Sequence, residues 1–238
     1  MRRKTLSAFA LSLTAAAAMV AGCGSTQKVD DEVITQDLQQ SYTPSQVFDM
    51  LKAGNERFVN NDLTPRDRVA EREALAKGQY PAAVILGCLD SRVPPELVFD
   101  LGNGDAFVGR VAGNFENTDM VGSMEFATAL AGSKLIVVLG HSSCGAVMGA
   151  CDGAEMGNLT ATLANIQPAI NASQNVPGPK SSSNAAYVAA VTEANVVQTM
   201  RDIQSRSPIL AERVRNGELM IVGGVYDLVT GRVNWIDG

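Results

Sequence analysis

Four short, almost wholly apolar runs constrain this chain more than any other feature: Ala82–Gly87, Ala106–Arg110, Leu135–Leu139 and Leu219–Val225. A strand with one wet face alternates apolar and polar residues, so a continuous run is expected to be covered on both faces. Segments with helical character separate the runs: Asn117–Ala131, Gly157–Ile170 and Asn184–Ser205. Two more helices are expected ahead of the first run. Pro44–Asn60 places Val47, Phe48, Leu51 and Phe58 at helical spacing behind Thr43 as N-cap, and Arg66–Lys77 stops at Gly78. Alternating strands and helices imply an α/β protein with a mainly parallel central sheet flanked by helices, preceded by an N-terminal helical arm. In such sheets ligands bind beyond the carboxyl ends of the strands. The residues just past each run therefore matter most.

The first run leads directly into Cys88-Leu89-Asp90-Ser91-Arg92, and the third into Gly140-His141-Ser142-Ser143-Cys144-Gly145. Two loops at one sheet edge thus supply two thiols, an imidazole and a carboxylate. These are donors that zinc favours, and four of them make a tetrahedral site. His141 and Cys144 are one helical turn apart, and a thiol at a helix N-terminus ionises more readily. Plainer readings stand beside this one. A cysteine after a buried strand serves well as a small core residue, and in an exported chain Cys88 and Cys144 could form a disulfide. Asp90 and Arg92 could be a surface ion pair of little energetic weight. Cys151 stands apart: if a helix continues from Cys144, seven residues span about 10 Å, beyond the reach of a disulfide.

The combination Cys-x-Asp-x-Arg followed by His-x-x-Cys resembles the paired signature of the β-carbonic anhydrases. The resemblance extends outward over about Pro44 to Trp235. Gln79 lies where the plant-like branch places a substrate-contacting glutamine. Ala106-Phe-Val-Gly-Arg-Val-Ala-Gly-Asn114 is similar to the family's Phe-Val-x-Arg-Asn-x-Ala-Asn element, though altered after Arg110. Gly224–Val233 resembles its closing hairpin. Ile85 stands where one regulated branch carries a tryptophan needed for an inhibitory bicarbonate site, which puts that regulation in doubt. The resemblance implies one Zn2+ per chain on Cys88, His141 and Cys144. It makes Asp90 a switch that either closes the metal site as a fourth ligand or turns to Arg92 and admits water. The implied reaction is reversible hydration of carbon dioxide to bicarbonate and a proton. Gln79, Phe107, Phe126 and Gly145, with Val93 and Ala112 as further wall residues, are the candidate substrate contacts. A homodimer or higher even homo-oligomer is implied, with some pocket residues coming from a neighbouring subunit. Alternatives remain: a non-catalytic zinc-binding lipoprotein with a closed site, a metal-free reactive thiol, or a same-fold hydrolase of carbon disulfide or carbonyl sulfide.

Arg2, Arg3 and Lys4 precede the apolar stretch Leu6–Val20, which reads as an export signal. It ends in Val20-Ala21-Gly22-Cys23, similar to the lipobox of bacterial lipoproteins. Residues 1–22 are accordingly expected to be a cleaved signal peptide. Cys23 would then carry lipid on a tether over 23–42 ahead of a domain over 43–238, anchored to a bacterial membrane and facing the periplasm or exterior. An ordinary cleaved signal or a short uncleaved anchor are the other readings. The net charge of −6 leaves no concentrated basic surface, so nucleic acid is not an expected partner.

Overall fold

The computed structural model describes residues 33–236; the segment expected to be an export signal and Cys23 lie outside the described residues. Helices α1 (Gln36–Ser41), α2 (Pro44–Val59) and α3 (Arg68–Leu75) precede strand β1 (Ala83–Gly87). A short α4 (Pro95–Val98) leads to β2 (Ala106–Arg110). Then α5 (Thr118–Glu125) and a π-helical turn over Phe126–Leu130 lead to β3 (Leu135–His141). Helices α6 (Gly145–Cys151), α7 (Gly157–Ala164), α8 (Gln167–Ala172), α9 (Ala185–Arg206) and α10 (Pro208–Arg215) follow, and β4 (Met220–Tyr226) and β5 (Val233–Ile236) close the chain. The strands form one sheet in the order β2-β1-β3-β4-β5. Every pairing is parallel except the final β4–β5 hairpin. The mainly parallel sheet expected from the four apolar runs is therefore present.

The sheet shows why those runs had to be continuous. Ala83, Ile85, Leu135, Val137 and Leu139 point to one face, where they meet Val47 and Leu51 of α2 with Val98 and Phe99. The alternate residues Val84, Leu86, Ile136 and Val138 point to the other face and meet Val121 and Met124 of α5 and Val196 and Ile203 of α9. A third cluster lies past the carboxyl ends of the strands. There Cys88 and Cys144 pack with Val147, Leu163, Ile166 and Tyr187. This third cluster seals the strand ends on which the two reactive loops sit.

Three expectations need correction. The tether does not run to residue 42: α1 is capped by the Thr35 hydroxyl, Ile34 is buried, and Gln39 donates from Nε2 to the carbonyls of Pro81 and Ala131, 2.8 Å each. Too few apolar residues mark that segment for periodicity to find it. The helix expected over Gly157–Ile170 is instead α7 and α8. Pro168 lacks the N–H that would continue the ladder, so the chain breaks at Asn165–Ile166 and restarts. The helix expected over Asn117–Ala131 loosens from Phe126 into a π turn, closed by Ala131 N–H donating to Phe126 O at 2.9 Å.

Candidate metal centre

Parallel pairing sets the site. β1 and β3 are in register up to Gly87↔Leu139, so Cys88 leaves the sheet beside the end of β3 that carries His141. Ser142 and Ser143 then turn the chain. Ser143 adopts the left-handed region at φ 53°, which is uncommon outside glycine, and Cys144 follows as the N-cap of α6. The outcome is a compact group. One donor atom each from Cys88, His141 and Cys144 lies within 4.8 Å of the others, and all three residues are buried.

The donor set fits a zinc ion. The two sulfurs are 3.8 Å apart. Two thiolates held at about 2.3 Å from a tetrahedral zinc are separated by about 3.8 Å, whereas a disulfide bond is about 2.05 Å long. Both cysteines are free thiols, so the disulfide reading falls. His141 is oriented by its other ring nitrogen: Nδ1 lies 2.9 Å from the Ser142 carbonyl, to which it can only donate. That leaves the lone pair on Nε2, an atom that is buried and has no hydrogen-bond partner. An orphaned imidazole nitrogen facing two thiols is costly unless something takes the lone pair.

Charge supports the same conclusion. The Cys88 thiol is held down to about 4, chiefly by the hydrogen bond with Cys144; burial opposes this, while His141 and the Gly113 N–H, 3.4 Å from Sγ, assist it. The same contact, together with burial, pushes Cys144 up, because a second thiolate there would face the first. The pair on its own gives up one proton easily and resists losing the other. A dication between the sulfurs removes that resistance.

Asp90 stands off from this group. Its carboxylate receives Arg92 Nε at 2.9 Å and Nη2 at 2.7 Å, plus the Arg92 backbone N–H at 2.9 Å. Those bonds hold it well below the usual carboxylate range. Its Oδ2 is 3.8 Å from His141 Nε2, yet it is not among the donor atoms grouped around the sulfurs. The side chain borders the site while turned to Arg92, the arrangement expected of an open site. Gly145, the first residue of α6, is exposed, and a Cβ placed there would meet nothing within 4 Å.

Of the other expected contacts Ala112 stays beside the site, between Val111 and Gly113, which bond the Cys88 loop, while Gln79, Phe107, Phe126 and Val93 lie elsewhere within one chain. Gln79 borders a groove with Gly78, Asn103 and Gly104, ahead of β1 and β2. Five strand residues at about 3.3 Å each separate it from Cys88, so it sits at the opposite sheet edge. Phe107 lies inside β2 and packs edge-on against Phe126, centroids 6.1 Å apart, in a groove along that strand and α5. Val93 is fully buried in the core among Ile85, Val98 and Leu139. Three neighbours of the site were not foreseen: Arg110, Gly113 and Asn195. Arg110 donates to two backbone carbonyls of the Cys88 loop, and Asn195 Nδ2 donates to the Gly113 carbonyl at 2.8 Å. Arg110 at the end of a strand beside Cys88 was a legible signal; Asn195, on a distant helix, was not.

A family model described as carbonic anhydrase matches residues 83–233. Carbonic anhydrase 2 of Mycobacterium tuberculosis is 37% identical over 195 residues, 79% of this chain and 91% of its own length. The carbonic anhydrase of Mycolicibacterium smegmatis is 37% identical over 196 residues, 80% of this chain and 92% of its own. Among solved structures, one of two tetrameric β-carbonic anhydrases of the ascomycete Sordaria macrospora superposes with a TM-score of 0.62 at 26% identity, covering 70% of this chain and 85% of that one.

Proposed function

The chain belongs to the β-carbonic anhydrases, enzymes of reversible carbon dioxide hydration, and on that premise we propose how its own residues divide the work. One zinc ion per chain is held by Cys88, His141 and Cys144. The observation that carries this is the buried, partnerless His141 Nε2 facing two free sulfurs at tetrahedral spacing. A zinc ion held there would act as a Lewis acid, bringing a water's pKa down to about 7 and making it a nucleophile at neutral pH. Asp90, kept ionised and turned aside by Arg92, accepts a hydrogen bond from the attacking water and aims its lone pair at the substrate carbon. Arg92 holds that geometry through a two-point grip on the carboxylate. Gly145 leaves room beside Cys144 for a small substrate.

Stopped-flow carbon dioxide hydration on protein of measured zinc content tests the assignment. Cys88→Ser, His141→Ala and Cys144→Ser are each expected to lose both metal and activity. Full zinc in all three variants would overturn the ligand set.

Two wider proposals accompany the chemistry. The chain is exported and held on a membrane by lipid on Cys23, a reading supported by the basic start, the apolar stretch and the small residues before that cysteine. It assembles as an even homo-oligomer, supported by the tetrameric relative from Sordaria macrospora and by exposed Phe126 and Leu130 beside the open edge of β2. In such an assembly Gln79 and Phe107 could serve a neighbour's site. One variant tests both. Cys23→Ser should move to the soluble fraction, and light scattering should give an even multiple of the chain mass. Unchanged membrane association or a monomer's mass would refute the corresponding proposal.

A further inference from the structure

On the switch reading Asp90 takes two positions, and its bond to Arg92 is not the only thing that would decide between them. Arg92 is exposed, and apart from a long contact of its Nη2 with the Ser143 carbonyl, 3.5 Å, both partners of the ion pair sit on one short loop and can travel with it. Something outside the loop must hold its main chain. That something is on β2. Arg110, the last residue of the strand, donates from Nε to the Cys88 carbonyl at 2.8 Å and from Nη2 to the Asp90 carbonyl. Around it, Leu89 N–H donates to Val111 O at 3.3 Å, and Val111 N–H donates to Gly87 O at 3.1 Å. One guanidinium therefore grips the carbonyl of a ligand residue and that of the switch residue, two positions apart.

We infer that Arg110 is a positioning residue that holds the Cys88–Asp90 main chain in the form that turns Asp90 towards Arg92 and away from the sulfurs. A planar fork with fixed donors suits this task, because its two bonds set both the spacing and the orientation of the two carbonyls. Without it the 3.3 Å bond from Leu89 N–H to Val111 O is the main-chain tie left between this loop and the end of β2, and the loop pivots beyond Leu89. The Asp90 carboxylate, 3.8 Å from His141 Nε2, then needs only a small movement to join the donor group. The side chain touches no reacting atom; it acts through the backbone of Asp90. This inference rests on the reading that Cys88, His141 and Cys144 hold a metal.

The test uses the full chain loaded with cobalt(II), whose visible bands change when a fourth ligand exchanges, and thiocyanate as the probe anion. The wild-type spectrum should shift as thiocyanate is added. Arg110→Ala should need about tenfold more anion, since losing two charge-assisted bonds leaves a minor open population and lowers apparent affinity by that fraction. Arg110→Lys, with a single charged head, should fall between them. Adding Asp90→Ala to Arg110→Ala should restore wild-type anion affinity, because the competing carboxylate is gone. An Arg110→Ala protein that titrates like wild type overturns the inference. So does a double variant that still binds anion weakly, since Arg110 would then support the sulfurs rather than Asp90. If Arg110→Ala cannot be loaded, Arg110→Lys with and without Asp90→Ala carries the same comparison. A wild-type chain that takes up no cobalt fails differently: it removes the metal-centre reading itself, and the inference with it.

Discussion

At Asp90 the controlling quantity is which group holds the carboxylate, not whether it is charged. The Arg92 hydrogen bonds keep its pKa well below the ordinary carboxylate range, so it stays ionised across any working pH and its own titration cannot shape a profile near neutrality. Removing Arg92 leaves the charge in place but frees it to compete for the open position. Arg92→Ala should therefore keep its zinc and lose at least about tenfold in kcat/KM, an amount comparable with one strong charged hydrogen bond. The residual activity should lie at higher pH, where hydroxide competes better against the carboxylate. An Arg92→Ala enzyme with unaltered activity across the pH range would refute the switch. The neighbouring candidate ligand His141 behaves oppositely: it is fixed, by its Nδ1 bond to Ser142 and by complete burial.

Among the elements, α2 is the one whose packing tolerates least change. Gly54 faces the backbone of Phe99, and a Cβ there would come within 2.0 Å of its carbonyl oxygen. Next to it, Asn55 donates to the carbonyls of Val98 and Gly231 and accepts from Val233 N–H at 2.9 Å, which ties α2 to α4 and to the closing hairpin. Backbone cannot step aside as a flexible side chain can. Gly54→Ala should cost at least about 3 kcal/mol in urea unfolding. The adjacent exposed substitution Ala53→Gly should cost only about 1 kcal/mol, the usual helix-propensity difference. Equal midpoints for the two variants would show that the α2–Phe99 contact is looser than its geometry indicates.

For the whole molecule, the decisive fact is that it contains one histidine. His141 is fully buried at the centre of the site, so no imidazole is left to carry a proton from there to solvent. Imidazole is the side chain whose ordinary pKa suits such a relay near neutrality. Turnover at saturating carbon dioxide should consequently rise with the concentration of an imidazole-type buffer at fixed pH and ionic strength. The ratio kcat/KM should respond much less, because it reports hydration before the proton departs. A kcat that stays flat from dilute to concentrated buffer, in a fast enzyme, would mean that other groups in the chain relay the proton.

The residues by themselves determined a good deal. Four runs with no polar face read as strands, of which β1 and β3 are buried on both faces while the edge strand β2 is half-buried, and the candidate chemistry lies where two of them end. Cys88, Asp90, Arg92, His141 and Cys144 were legible because each lies within a few residues of a strand end, where local spacing and parallel pairing leave little freedom. The β2 run, Ala106–Arg110, was legible for the same reason. Tertiary structure alone decided the rest, since it depends on groups distant in sequence. The packing of α1 through Gln39 onto Pro81 and Ala131 leaves no apolar period to read. Gln79 and Phe107 are near Cys88 in sequence, but strand direction and the width of the sheet carry them away from it. The hold of Arg110 on the Cys88 loop, that of Asn195 on Gly113, and the pairing of Asp90 with Arg92 are hydrogen-bond geometries. Sequence states which donors and acceptors exist; only the folded backbone sets them at bonding distance.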